Sequence, residues 1–357
     1  MTRHAEVVIA GASFAGLATA LALKGRDVVV LDPKPLGHNP KSANTTPLST
    51  LRALRLLGSV REIHPELVIH FGPQSVHLPS SPAFATVDYQ RLCQSLAKQA
   101  GIEVRPARAL GYQPGRVLTD QGEITCRFAV DASGPAAVLA SALQLGYARR
   151  RFMAAGLETE LPRPPHFPGG LHFYLDNSLP YGYAWAFGSG ESVRFGLGVF
   201  QAEPYARDLK NGLRHFLNRF DLEPTSTHGG LIPLRLREPV VGEVLVVGDA
   251  AGQVLPASAE GIRPALYFGQ RLGLLLRQAL EGSLEGSAQT LYCQEVQRHR
   301  HRFETLEKVQ RLLGTAPELS GWLLKMGSGL GITRPFLHGY LRTFVPEHLP
   351  SDSIFRH

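Results

Sequence analysis

The sequence contains little cysteine or tryptophan and no long hydrophobic run. Among its 357 residues are three cysteines and two tryptophans. The cysteines, Cys93, Cys126 and Cys293, lack CxxC spacing, so they indicate a reducing compartment and argue against a disulfide framework or a zinc site. No stretch reaches the roughly 18 uninterrupted apolar residues that a membrane-spanning helix needs. The hydrophobic content of 44% and the charged content of 19% are typical of a globular protein.

The charge balance is basic, with 37 Lys and Arg against 30 Asp and Glu. Such a surface suits anionic membranes, nucleic acids or acidic substrates. The aromatic residues are not interleaved with the basic ones, so we expect no nucleic-acid partner. The histidines show no ligand spacing, and we expect no metal. The first apolar strand begins almost at residue 1, which leaves no room for a signal peptide and favours a cytoplasmic protein.

Two features near the C-terminus leave a peripheral membrane contact open. The densest basic run is Arg298 to Arg302, on a predicted helix. It has two interpretations, a solvated helix face or a surface that meets lipid head groups. Apolar residues at Trp322 to Leu324 and at Phe336 and Leu337 add to the second interpretation.

The first of two glycine-rich turns follows the apolar run Val7 to Ala10. The turn, Gly11 to Gly16, leads into the Ala- and Leu-rich stretch Leu17 to Leu23, which has good helix propensity. A second apolar strand, Val28 to Leu31, then ends at Asp32. This order predicts the βαβ unit of a dinucleotide site, with the pyrophosphate at the helix N-terminus and the acid on the ribose hydroxyls. The predicted cofactor-binding residues of this unit are Gly11, Ser13, Phe14, Ala15, Gly16 and Asp32.

One position of this fingerprint departs from the usual pattern. Ser13 stands where the second glycine normally lets the backbone approach the pyrophosphate. Its Cβ would crowd the phosphate slightly, while its hydroxyl could donate a hydrogen bond to it.

The second glycine-rich turn, Gly248 to Gly252, follows the apolar run Val244 to Val247. With the Glu260-Gly261-Ile262 segment after it, this turn resembles the FAD-dependent oxidoreductases of the aromatic-hydroxylase type. The resemblance implies that Asp249 binds the ribityl hydroxyls and that Gly261 and Ile262 lie beside the flavin ring. A middle motif of the same family, next to the cofactor, resembles Asp131 to Gly134. FAD is therefore the expected cofactor, with Gly134 among its neighbours.

An aromatic strand points to the substrate. In the segment Pro180 to Phe187, strand alternation places Tyr183, Trp185 and Phe187 on one face and small residues on the other. A partner strand with Gly196 would offer a smooth floor beside this wall, which suits a long apolar substrate; the alternative is that the aromatic residues are simply sheet core. The segment resembles the P-x-x-Y-x-W-x-F signature of geranylgeranyl reductases, flavoenzymes that saturate isoprenoid double bonds. The predicted substrate-pocket residues are Tyr183, Trp185, Phe187 and Gly196, with Tyr183 and Trp185 as catalytic candidates.

Two departures from that family are visible. Gly188 and Ser189 follow the signature where family members usually continue with Pro-Lys. The segment Ser42 to Thr46 has no cysteine, although archaeal members carry one there.

We expect an α/β protein with a Rossmann-like FAD-binding domain, an inserted antiparallel-sheet substrate domain and a helical C-terminal region. Helices are predicted over Leu48 to Leu57 and Asp88 to Gln99, and a loop over Pro73 to Pro82. The predicted FAD-binding domain comprises 1–72, 86–150 and 240–285, the substrate domain 73–85 and 151–239, and the helical region 286–357.

The leading functional hypothesis is an FAD-dependent reductase that transfers hydride from reduced flavin to a double bond of an isoprenoid or another long apolar substrate. No second dinucleotide fingerprint is present, so the electron donor, NAD(P)H or ferredoxin, is expected to bind transiently. A flavin monooxygenase of the same fold is one alternative. A non-redox cyclase or isomerase, or an inactive lipid-binding relative, is the other.

Overall fold

The computed structural model describes residues 3–38, 43–150, 153–175 and 181–348. Pro180 of the aromatic signature, Ser42 and the end of the helical region, 349–357, lie outside the described residues. The described chain forms two mainly separate sheets with helices packed around them. Its strands are β1 (Arg3–Ala10), β2 (Val28–Leu31), β3 (Thr45–Pro47), β4 (Val60–Phe71), β5 (Gln74–Val87), β6 (Val104–Arg105), β7 (Ala109–Gln113), β8 (Arg116–Thr119), β9 (Gly122–Asp131), β10 (Met153–Pro162), β11 (Leu171–Leu175), β12 (Gly182–Ser189), β13 (Ser192–Val199), β14 (His228–Pro233), β15 (Val240–Val241) and β16 (Val244–Val246). Its helices are α1 (Phe14–Ala22), α2 (Leu48–Ala53), α3 (Tyr89–Ala100), α4 (Val138–Leu143), α5 (Ala202–Tyr205), α6 (Leu209–Leu217), α7 (Ile262–Glu281), α8 (Ala288–Thr315), α9 (Pro317–Gly329) and α10 (Thr333–Leu341).

The first sheet confirms the predicted Rossmann-like unit. Its main strand order is β15-β16-β9-β1-β2-β6, and β1 pairs in parallel with both β2 and β9. Val7, Val8 and Ile9 are fully buried, because helices or strands cover both faces of this parallel sheet. Strands β1, β2, β9 and β16 run in the same direction, so the turns that follow them gather at one edge of the sheet.

Close packing of α1 against α7 fixes the first turn. A Cβ atom on Gly269 of α7 would lie 2.4 Å from the backbone oxygen of Ala15, and one on Gly273 would lie 2.5 Å from that of Thr19. Every residue of α1 is buried. The two helices therefore approach each other backbone to backbone along one side of α1.

The second sheet follows the order β14-β10-β13-β12-β11-β4-β5-β3. Its pairs are antiparallel except for β4 and β11, which run in parallel. One face packs on α6 through a cluster with Phe195, Leu213 and Phe216. The other face carries Tyr183, Trp185 and Phe187 in a separate cluster. The alternation predicted for the aromatic strand is therefore present.

The structure changes two local expectations between residues 60 and 87. The predicted loop over Pro73 to Pro82 is wrong, because β5 begins at Gln74 and covers all of it except Pro73. Strand β4 was expected in the FAD-binding domain, but it pairs with β5 and β11 in the second sheet. Proline is tolerated there because the β4–β5 pairing is irregular, with a register shift between His64 and Glu66. Helix α3 confirms the prediction over Asp88 to Gln99, whereas α2 ends earlier, at Ala53.

The C-terminal region is helical as far as it is described, through α8, α9 and α10. The basic run Arg298 to Arg302 lies on α8 and is divided between two environments. His299 packs against Phe344 with ring centroids 4.8 Å apart, while the Arg298 side chain is 71% exposed. Among the described helices, none combines the length and the apolar composition required to span a membrane.

Candidate functional site

A cavity of about 620 Å³ lies between the carboxyl edge of the first sheet and the aromatic face of the second. The glycine-rich turns form one end of it, and Tyr183, Trp185 and Phe187 form part of the other. Of the residues predicted from the sequence, those lining the cavity are Gly11, Ser13, Phe14, Ala15, Asp32, Gly134, Tyr183, Trp185, Phe187, Asp249, Gly261 and Ile262. The cavity thus brings both predicted sites together.

Gly16 and Gly196 are the two predicted site residues that do not line the cavity. A Cβ on Gly16 would lie 2.0 Å from the backbone oxygen of Gly11. Glycine at position 16 therefore lets the backbone of Gly11 pack directly against the first turn of α1. A Cβ on Gly196 would lie 2.3 Å from Cζ2 of Trp185, so Gly196 seats the indole. Both act through a neighbour that does line the cavity.

The first turn leaves no room for a larger residue at its start. Gly11 has φ +112°, and a Cβ there would lie 2.2 Å from the backbone oxygen of Ala132. Asp32 accepts from the backbone N–H groups of Ala12 and Lys34, each at 3.0 Å, and so fixes the turn while facing the cavity. The turn is therefore held at the edge of the sheet by a glycine and an acid.

Ser13 is supported by a residue that the sequence did not single out. Its Oγ lies 3.0 Å from the hydroxyl of Tyr89, at the start of α3. The Tyr89 ring also packs edge-on against Phe14, with centroids 5.1 Å apart. When Tyr89 donates in this pair, the Ser13 hydroxyl keeps its own proton for a ligand in the cavity.

The middle motif is held by Asp131, which is fully buried behind the cavity wall. Its carboxylate accepts from the backbone N–H and hydroxyl of Ser133 and from the backbone N–H of Ala140. Burial raises the pKa of Asp131, and these hydrogen bonds oppose the rise. Asp131 thereby shapes the turn that presents Gly134, whose φ of +78° suits glycine, to the cavity.

The second turn packs directly on the first. Gly248 has φ +69°, and a Cβ on it would lie 2.6 Å from Cβ of Ala15. Its N–H donates to Oε1 of Gln253 at 2.7 Å, and Nε2 of Gln253 donates to the hydroxyl of Tyr292 at 3.0 Å. Sequence reasoning missed this support because Tyr292 lies on α8, far away in the chain.

Asp249 presents a carboxylic acid with a raised pKa to the cavity. Burial raises its pKa to about 6, and the nearby Arg237 opposes that rise. Arg237 in turn donates to the backbone oxygens of Pro135 and Ala250, at 3.1 and 3.0 Å, and so joins the middle turn to the second turn. Hydroxyl donors in the cavity would replace the solvation that Asp249 has lost.

Gly261 and Ile262 lie at the N-terminus of α7 and line the cavity. The preceding Glu260 forms a buried ion pair with Arg263, at 2.8 Å. Its carboxylate also accepts from the hydroxyl of Tyr340 on α10, at 2.9 Å. The C-terminal helices are thus tied to the wall of the cavity.

The hydroxyl of Tyr183 is already used within the wall. It donates to the backbone oxygen of Ser258 at 2.7 Å, and burial raises the pKa of Tyr183. Both facts oppose proton donation, so the geometry favours a structural part in the wall.

Trp185 is fixed by charged residues that the sequence analysis did not identify. Its Nε1 donates to Glu158 at 2.9 Å. Arg194 and His228 also contact this carboxylate, at 2.7 and 3.0 Å. Glu158 and Arg194 are both almost completely buried. The only local signal was polar residues on otherwise apolar strands.

These residues fit a flavin dinucleotide. The glycine positions are cradles that a Cβ would fill, Asp32 and Asp249 present acceptors to the cavity, and α1 and α7 both begin at it. Ser13 is accommodated because its Oγ turns toward Tyr89.

Comparisons with known proteins agree with this geometry. No protein-family model matches the chain. A curated digeranylgeranylglycerophospholipid reductase of Haloferax volcanii is 27% identical over 79% of this chain and 78% of its own length. A geranylgeranyl bacteriochlorophyll reductase-like protein of Thermoplasma acidophilum superposes with a TM-score of 0.79 at 17% identity, covering 99% of this chain and 95% of that one. The flavin-dependent brominase Bmp2 superposes with a TM-score of 0.73 at 15% identity, covering 94% of each chain.

The structural matches establish the fold, and the sequence match extends over most of both chains. The predicted resemblance and the predicted class of enzyme are confirmed. The chain is similar in sequence to the digeranylgeranylglycerophospholipid reductases and shares its fold with flavin-dependent enzymes.

Proposed function

We propose that the cavity binds FAD and that the protein reduces carbon–carbon double bonds of an isoprenoid or a similarly long apolar substrate. One observation carries this proposal: a single cavity joins the glycine-rich turns to the aromatic wall. A cofactor held by the turns would therefore share its space with a substrate held by the wall.

The FAD-binding end uses backbone donors and two acids. The N-terminus of α1 lines the cavity and would hold the diphosphate, with the Ser13 hydroxyl as an additional donor. Asp32 would accept hydrogen bonds from ribose hydroxyls, and Asp249 would accept them from ribityl hydroxyls. Gly261 would leave space for the ring, and the N-terminus of α7 would stabilise negative charge on it. When bound and reduced, the flavin supplies the hydride.

The substrate end is lined mainly by aromatic and other apolar side chains. Phe173, Tyr183, Trp185 and Phe187 all line it, and the Phe173 and Phe187 rings meet edge-on with centroids 4.9 Å apart. Glu158 holds the Trp185 indole in place. Such a wall excludes water and orients a long chain without hydrogen bonds, as an isoprenoid requires. The curated reductase from Haloferax volcanii bears the name of an isoprenoid lipid reductase, which supports this substrate class.

Proton supply is assigned to water or to an acid other than Tyr183. The Tyr183 hydroxyl is committed to Ser258, whereas His228 lines the cavity beside Glu158. Electrons are proposed to come from a donor that binds transiently, NAD(P)H or ferredoxin, because the sequence has no second dinucleotide fingerprint.

The visible spectrum of the purified protein, followed by analysis of the released cofactor, tests FAD binding. We expect flavin bands and an extractable flavin that chromatographs as FAD. A protein that stays colourless after incubation with FAD would overturn the proposal. If the released flavin is FMN, the protein binds a flavin but the proposal of FAD is wrong.

A flavin monooxygenase is the second candidate, because the missing Pro-Lys after Phe187 departs from the reductase signature. Oxygen consumption during NAD(P)H oxidation separates the two. Substrate-stimulated consumption of one oxygen per NAD(P)H, with an oxygenated product, would establish the monooxygenase. A non-redox cyclase or isomerase would consume no NAD(P)H.

A further inference from the structure

An exposed apolar surface lies on the C-terminal helices, next to the cavity. Among the described residues thirteen large apolar side chains are exposed, and seven of them lie between residues 319 and 336. Those seven, called the apolar stripe below, are Leu319, Trp322, Leu323, Met326, Leu330, Ile332 and Phe336. On α9, Leu319 is followed by Trp322, Leu323 and Met326 at i+3, i+4 and i+7, which puts these four on one helical face. Leu330 and Ile332 lie in the turn between α9 and α10.

The opposite side of the same helices faces the interior. Leu324 of α9 and Leu337 of α10 pack against the aromatic cluster of the second sheet. A Cβ on Gly321 would lie 2.2 Å from Cγ of Phe71, so α9 lies flush on that sheet. Leu337 and Tyr340 line the main cavity. The helix pair therefore separates the cavity from the apolar stripe.

A second, smaller cavity lies at the turn between α9 and α10. It measures about 300 Å³ and is lined by Leu78, Thr333, Arg334 and Leu337 among others. Leu337 lines both cavities, so it stands between the outer surface and the proposed substrate space.

The charged residues around the apolar stripe indicate which kind of partner binds it. Residues 319–346 contain no Asp or Glu, whereas Lys325, Arg334 and Arg342 are present and exposed. A second copy of the chain packed by two-fold symmetry on this surface would set like charges against each other. Anionic lipid head groups would instead complement them, with Trp322 and Phe336 at the depth of the acyl chains.

We propose that the apolar stripe docks on an anionic lipid bilayer, with Leu337 between the bilayer and the cavity. Apolar substrate would then enter the cavity from the bilayer without crossing water. This use of the surface rests on the proposed function, whereas the docking itself does not depend on it.

Tryptophan fluorescence with lipid vesicles tests the docking on the whole protein. The chain has two tryptophans, of which Trp185 is 9% exposed and Trp322 is 50% exposed. Vesicles of phosphatidylcholine with phosphatidylglycerol should therefore shift the emission of Trp322 to shorter wavelength, and vesicles of phosphatidylcholine alone should shift it much less. Trp322→Phe should abolish the shift while the protein still sediments with the vesicles.

Matched charge substitutions distinguish binding through the apolar stripe from non-specific binding to vesicles. Leu330→Glu and Phe336→Glu should each lower the vesicle partition coefficient by about tenfold or more. Leu145→Glu is the control, because Leu145 is 99% exposed and lies outside the stripe; its partition coefficient should match that of the wild type. Exposed substitutions of this kind leave folding largely unchanged, which circular dichroism and flavin binding would verify.

Three results would overturn the proposal. The first is wild-type protein that does not partition onto anionic vesicles. The second is equal partitioning by the wild type and Phe336→Glu. The third is a dimer that forms without vesicles and that Leu330→Glu dissociates, since the apolar stripe would then bind a second copy of the chain. Flavin binding measured without vesicles reports on the proposed function separately.

Discussion

The indole Nε1 of Trp185 donates to the carboxylate of Glu158 at 2.9 Å, in the wall of the cavity. Arg194 completes this arrangement at 2.7 Å from the same carboxylate, and both charged residues are buried. A buried carboxylate is stable only when such partners satisfy it. Glu158 is therefore a positioning residue that fixes the ring against which the substrate would lie.

Removal of the Glu158 carboxylate should strongly destabilise the protein. Glu158→Ala takes the buried carboxylate away from Nε1 of Trp185 and from Arg194, which keeps Glu160 at 2.9 Å. Because a buried acceptor and a buried ion pair are lost together, we expect the free energy of unfolding to fall by about 3 kcal/mol. Glu123→Ala is the control, because the Glu123–Arg116 pair is exposed and should contribute about 0–1 kcal/mol. Denaturant unfolding of both variants checks this, and equal losses would contradict a special role for Glu158.

The Tyr183 hydroxyl should be dispensable for chemistry. Because it donates to the backbone oxygen of Ser258, Tyr183→Phe removes a neutral hydrogen bond worth about 1 kcal/mol of stability. We expect the rate at which substrate reoxidises the reduced flavin to change by no more than about threefold. Stopped-flow measurement decides the point, since loss of a general acid would slow the step by roughly 10²–10⁴-fold.

Asp249 should give the protein a distinctive pH dependence. Its pKa of about 6 in the folded, ligand-free protein lies above the ordinary value of 3.8. The folded state therefore binds more protons between these values, and the stability contributed below pH 4 is lost as the pH rises through about 6. Asp249→Asn should lack this loss, which thermal unfolding of both proteins from pH 4 to 7 would show.

Binding of FAD should couple to the same acid. If ribityl hydroxyls donate to the Asp249 carboxylate, binding lowers its pKa, and affinity for FAD rises as the pH rises from about 5 to 7. We expect Asp249→Ala to weaken binding by about ten- to a hundredfold at pH 7. Calorimetric titration with FAD measures both effects; a wild-type affinity that does not vary with pH would argue against this contact.

Gly11 should tolerate no side chain. Gly11→Ala would place a methyl group 2.2 Å from the backbone oxygen of Ala132 at φ +112°, so the turn must move. We expect a loss of FAD binding together with a lower midpoint of thermal unfolding. Gly58→Ala is the matched control, because no atom lies within 4 Å of its Cβ position, and it should behave as the wild type does.

The sequence was sufficient where the signal is local. A strand, a glycine turn and a helix follow one another within about 20 residues in the first unit, so spacing alone predicted the turn, and Asp32 with it. Asp249 was predicted from the resemblance of its contiguous motif to a known family, and the structure places it in the cavity lining. The alternation of Tyr183, Trp185 and Phe187 likewise predicted their shared face.

Long-range partners were beyond such reasoning. The proline-rich segment around Pro79 was expected to be a loop, but β4 pairs with it across an irregular register and makes it a strand. Glu158 meets Trp185 only because β10 and β12 both pair with β13. Tyr292 supports the second turn from α8. No local sequence pattern predicts these long-range contacts.

The most direct test of the proposed activity is anaerobic mixing of the reduced, FAD-loaded protein with a geranylgeranyl lipid. We predict that flavin absorbance near 450 nm returns and that the lipid gains two hydrogens for each flavin reoxidised, as mass spectrometry would show. A flavin that stays reduced in the presence of the lipid, while it reoxidises normally in air, would contradict the account.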